Sequence, residues 1–173
     1  MMRFVTKSSM LRLAVAAAAF TAVAPVALAH GDESHKAKKA SAPISADEHA
    51  FGKQGDPKRA VRTIAIDMND MMRFGPSEIT VKQGETVRFV VANKGKIMHE
   101  MVLGTMDELK QHGEAMRKHP GMEHDEPYMA HVSPGKKEEL VWHFTQPGEF
   151  YYACLIPGHF EAGMIGKVKV VKG

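Results

Sequence analysis

Cysteine is almost missing from this chain. Cys154 stands alone among 173 residues, so no disulfide forms within it. The chain also lacks the run of about 20 apolar residues that a membrane-spanning helix needs. The stretch that comes nearest, in MMRFVTKSSMLRLAVAAAAFTAVAPVALAH, is interrupted by Pro25. Lying behind Arg3, Lys7 and Arg12 and ending in Ala27, Leu28 and Ala29, it reads as a secretory signal peptide over residues 1–29 with a small-x-small cleavage site. Excess charge of one sign is missing too. The formal surplus of +3 is carried by those three basic residues alone, so the remainder is balanced and nucleic acid is not an expected partner. From His30 to about Lys58 large apolar residues are scarce, and such a segment cannot bury enough surface to offset its ordering entropy. Residues 30–59 are therefore expected to be a disordered, His-containing tail, and residues 60–173 a single domain.

What the chain has is imidazole and thioether. It carries ten His and 13 Met, and all of the His and all of the Met except Met1, Met2 and Met10 follow the expected cleavage site. In an exported protein a bare thiol is a liability unless something occupies its sulfur, and metal coordination does so while deprotonating it. The stretch YACLIPGHFEAGMIG, Tyr152 to Gly166, sets Cys154, His159 and Met164 on one short loop whose Pro157, Gly158 and Gly163 suit a tight turn better than a packed strand. A thiolate, an imidazole and a thioether form a soft set suited to copper, and the two-His, one-Cys pattern with a distant axial Met needs one further His. His99, in KGKIMHEMVL, is the candidate. The competing reading is a small buried cysteine beside core-filling Met. A dinuclear copper centre with two bridging cysteines is excluded by the cysteine count.

Strands are expected at Val61–Ile66, Ile79–Val81, Thr86–Ala92, His99–Leu103, Tyr128–Val132, Glu139–Thr145, Glu149–Ala153 and Lys167–Val171, with turn residues between them. That pattern predicts an all-β fold, a β-sandwich. One short helix interrupts it in TMDELKQHGEAMRKHPG, where Thr105 and Glu108 match a capping box and Pro120 with Gly121 end the helix. On its face Leu109, His112, Met116 and His119 recur at helical spacing. His112, Met116 and His119, continued by Met122 and His124, are a candidate accessory copper site, or else helix packing and solvated surface. Met68, Met71 and Met72 offer thioethers for Cu(I), or else an adaptable apolar core. If cleavage follows Ala29, the amine and imidazole of His30, with His35 and His49, are a further possible chelate, or else an incidental part of a solvated tail.

The upstream His at the start of one strand, followed by Cys, His and Met on the loop between the last two, resembles the cupredoxins, most closely their longer-loop members. The resemblance covers about residues 60 to 173. It implies a Greek-key sandwich with one type 1 copper held by His99, Cys154, His159 and Met164, and a backbone amide at Glu100 bonded to the thiolate. Glu100 itself departs from the Asn or Ser common at that position. With the His-bearing tail and abundant Met, the chain is similar to the periplasmic copper-tolerance cupredoxins of CopI type. That likeness implies copper binding in the bacterial periplasm, possible additional Cu(I), and a redox or copper-handling partner. A small respiratory electron carrier is the alternative. No enzyme activity is expected on either reading, apart from Cu(I) oxidation if an accessory site and the type 1 copper act together.

Overall fold

The computed structural model describes residues 43–119 and 124–173. The expected signal peptide, His30, His35 and Met122 lie outside them. In chain order the strands are β1 (Glu48–His49), β2 (Gly52–Gln54), β3 (Arg62–Asn69), β4 (Arg73–Gly75), β5 (Glu78–Lys82) and β6 (Thr86–Asn93). After β7 (His99–Gly104) comes the helix α1 (Met106–Lys118), followed by β8 (Met129–Val132), β9 (Lys137–His143), β10 (Gly148–Ala153) and β11 (Ile165–Val171). One sheet has the order β1-β2-β9-β6-β3-β4 and the other β5-β11-β10-β7-β8. β3 runs parallel to β6 and β5 parallel to β11, and the remaining neighbours are antiparallel. The all-β, two-sheet expectation holds.

Period-two alternation builds the core between the sheets. Ile64, Ile66 and Met68 of β3, Leu140 and Trp142 of β9, and Val168 and Val170 of β11 all point inward and are buried. β7 departs from alternation, since all six of its residues are buried. Met101 and Leu103 join the main core, while Val102 on the opposite face packs with Leu109 of α1, Met129 and Leu155. The helix thus covers the outer face of the strand that begins with His99. Its start is fixed as the sequence indicates: the Thr105 hydroxyl accepts from the Glu108 N–H at 3.3 Å and the Glu108 carboxylate accepts from the Thr105 N–H at 2.9 Å.

Two expectations need correction. The segment assigned to the tail is ordered from residue 43 onward, and β1 and β2 extend the first sheet by pairing with β9. A single aromatic side chain anchors it. Phe51 is buried, stacks on Trp142 at 5.1 Å and accepts the indole N–H at its carbonyl at 2.8 Å. Composition averaged over the segment hides one residue of that kind. In addition, the stretch between the strands expected at Val61–Ile66 and Ile79–Val81 is not turn alone: it contains the short strand β4, and the Gly75–Pro76 peptide bond at its end is cis.

Candidate metal centre

The loop after β10 is tied to itself by its own backbone. The N–H of His159 donates to Ile156 O at 3.0 Å, that of Met164 to His159 O at 3.0 Å, and that of Cys154 to Met164 O at 3.1 Å. The turns fall where sequence placed glycine: Gly158 and Gly163 have φ of 91° and 86°, which L side chains rarely adopt. Arg73 Nη1 braces the loop by donating to Ala162 O at 2.9 Å, and Arg117 of α1 pairs with Glu161 at 3.0 Å.

On this frame His99, Cys154 and His159 converge, their ligand atoms all lying within 4.8 Å of one another. Cys154 Sγ is 3.1 Å from His159 Nδ1, and the two imidazole rings are 5.0 Å apart. His99, Cys154 and Met164 are sealed from solvent, whereas His159 keeps 8% of its surface exposed. Met164 packs in the same core cluster as Cys154.

Asp70 sets the proton on His99. Its Oδ1 accepts from His99 Nε2 at 3.1 Å, which leaves Nδ1 as the bare nitrogen. That Nδ1 is buried and has no hydrogen-bond partner among the described residues. An unsatisfied buried polar atom costs about 1–3 kcal/mol, and a metal at this point would satisfy it. Asp70 is held in turn by the Lys96 N–H at 2.8 Å. That bond first, and the bond to His99 after it, keeps the Asp70 carboxyl below its usual range. Asn93 pins the same loop, donating to Ile97 O and Val132 O and accepting from Gly95 N–H. Position 95 must be glycine, because a Cβ there would lie 1.9 Å from Asp70 Oδ1.

Glu100 faces Cys154 from the other side. Its N–H points at Sγ at 3.4 Å, and its buried carboxylate accepts from Leu155 N–H at 2.8 Å and pairs with His131 Nδ1 at 3.0 Å. Burial pushes the Cys154 thiol up to about 12, opposed by the amide of Glu100. Burial, and His99 nearby, lower His159. Without metal the centre therefore holds a protonated thiol beside a neutral imidazole. A bare Nδ1, a thiol and a neutral imidazole at one point, with a thioether in the same cluster, fit a copper ion.

The accessory sets fare differently. Met68 is sealed in the core and cannot offer its sulfur at the surface, Met71 is 77% exposed, and Met72 is partly buried at φ 58°. The Met68, Met71 and Met72 group is thus dispersed by strand alternation and the turn after β3. His112 meets His124, with Nε2 atoms 3.0 Å apart, while His119 is exposed at the helix end, two turns and about 10 Å further along the axis. Met116 lies one turn beyond His112 and is half-buried. Sequence reading missed Asp70, Asn93 and the Glu100–His131 pair, which only tertiary contact reveals.

A two-sheet sandwich with His, Cys and His gathered at the loop between its last strands defines a cupredoxin. The chain belongs to the plastocyanin/azurin family of copper binding proteins, whose family model matches residues 60–171. It is 49% identical over 147 residues to the copper-resistant cuproprotein CopI of Rubrivivax gelatinosus, a match covering 85% of this chain and 89% of that protein. The protein of the same name from Pseudomonas aeruginosa is 40% identical over 150 residues, covering 70% and 82%. Among solved structures, auracyanin from Roseiflexus castenholzii shares the fold with a TM-score of 0.55 at 23% identity, over 63% of this chain and 96% of that one.

Proposed function

We propose that this copper-binding protein acts in copper tolerance in the bacterial periplasm, exported by residues 1–29, with a redox-active type 1 centre formed by His99, Cys154, His159 and axial Met164. The observation that carries the centre is the convergence of ligand atoms from His99, Cys154 and His159, with a buried His99 Nδ1 that no described residue satisfies. Bound copper supplies a one-electron couple whose potential is tuned by the axial ligand and by hydrogen bonds to the sulfur. The residues do the rest. Asp70 fixes the His99 tautomer, the Glu100 amide stabilises the thiolate, and the self-bonded loop resists rearrangement between oxidation states. Nothing in this reading requires enzyme activity.

The names of the relatives, copper-resistant cuproproteins, support tolerance as the role. Mature protein loaded with Cu(II) is expected to show an intense visible thiolate-to-copper band that Cys154→Ser abolishes, and deletion of the gene is expected to sensitise cells to copper. A colourless copper-loaded protein overturns the centre, and unchanged copper sensitivity overturns the role. One observation favours electron carriage instead: Met71, Ile97 and Met98 are exposed apolar side chains on the two loops joined by Asp70. Such a patch suits a docking redox partner. Normal copper tolerance on deletion, with impaired respiration, would select that reading.

A further inference from the structure

The outer face of the β7–β8 pair carries a second imidazole cluster that the first centre does not use. His112 projects from α1 to meet His124, the rings stacked with centroids 4.8 Å apart and the two Nε2 atoms 3.0 Å apart. His131 of β8 supports this pair from beneath. Its Nε2 is 3.1 Å from the His124 carbonyl and its Nδ1 3.0 Å from the Glu100 carboxylate.

Each of these groups has a distinct part. His131 is held at both ring nitrogens, by the His124 carbonyl and the Glu100 carboxylate, and serves as a brace. Burial, and then His124, lower His112, which keeps that ring neutral and its lone pair available. Two imidazole nitrogens at this separation either share one proton or converge on one cation. At metal–nitrogen distances of about 2.0–2.1 Å, nitrogens 3.0 Å apart can belong to a single ion. Met116, one turn after His112, adds a half-buried thioether on the same helix face.

We propose that His112 and His124 bind a second copper ion on the outer side of the sheet, with the His131–Glu100 pair positioning His124. The proposal takes from the function above only the choice of copper. Of the sequence-derived set it keeps His112 and His124 and leaves out His119. Glu100 links the two sites, because its N–H points at Cys154 Sγ while its carboxylate holds His131. The second site is partly exposed and contains no thiol, so copper binds and leaves without a thiol proton to displace.

The test uses the full mature chain carrying Cys154→Ser, titrated with Cu(II) and followed by electron paramagnetic resonance and by copper content. A signal with wide copper hyperfine splitting and imidazole nitrogen coupling is expected. Adding His112→Gln and His124→Gln should weaken this equivalent about 100-fold or more, beyond the 10–100-fold typical of losing an outer-shell partner. Replacing His30 and His35 by Ala should leave it in place. In the Cys154-intact chain the double variant should keep the visible band, which reports a folded first centre. If that band is lost, the single His124→Gln decides: loss of the second equivalent supports the site and its retention overturns it. Undiminished copper binding by the double variant, or loss of the signal with the tail histidines alone, also overturns it. Because the visible band reads the first centre separately, failure of this site leaves the function proposed above standing.

Discussion

Asp70 bonds to Lys96 and His99 rather than to Cys154 or His159, yet it decides which nitrogen of His99 is free. Partners of this kind orient a ligating ring and raise its basicity, and their removal typically costs 10–100-fold in metal affinity. Asp70→Ala is therefore expected to weaken copper binding by about that factor and to raise the reduction potential, because an anion near the site favours Cu(II) over Cu(I). Asp70→Asn keeps an acceptor for Nε2–H and should restore affinity while leaving the potential high. Equilibrium titration and voltammetry of the two variants check this, and equal behaviour of both would mean that Asp70 acts through charge alone. Cys154, His159 and Met164 were legible in the sequence because one loop holds them. Asp70 was not, since it lies 29 residues before His99 and a turn aspartate ordinarily caps its own backbone.

At the scale of elements, local signals predicted what local chemistry decides. The capping box at Thr105 marked the helix start, and alternation in ELVWHFT placed Leu140, Trp142 and Phe144 inside. The β1–β2 hairpin escaped because its order depends on Trp142, a residue far along the chain. Phe51 is the test of that dependence. Truncating a buried Phe costs about 3–5 kcal/mol, so Phe51→Ala is expected to lower the denaturation midpoint by a corresponding amount. The visible band of the folded variant should persist, because the rings packed against Phe51 (His49, Tyr128, Trp142 and Phe150) include no ligand of the first centre. A change below about 0.5 kcal/mol, ordinary for a surface substitution, would show the hairpin to be merely attached.

Across the whole molecule, the sandwich was legible because turn residues punctuate a succession of short strands, whereas the reach of the first sheet was not. Closing the two sheets over Cys154 has a further consequence, one for the time before copper arrives. Alkylating and oxidising reagents attack the thiolate, and susceptibility follows thiolate content and exposure. A thiol pushed up to about 12 and fully buried is thiolate in roughly one molecule in ten thousand at pH 8. An ordinary cysteine, with a pKa near 8.5, is about one quarter thiolate there. Iodoacetamide is thus expected to modify the metal-free folded protein about a thousandfold more slowly than the denatured chain, as read by mass spectrometry against time. Comparable rates would show the thiol to be accessible. The fold that assembles the copper ligands is also a storage form: it keeps the chain's one thiol from oxidation until the ion that needs it displaces the proton.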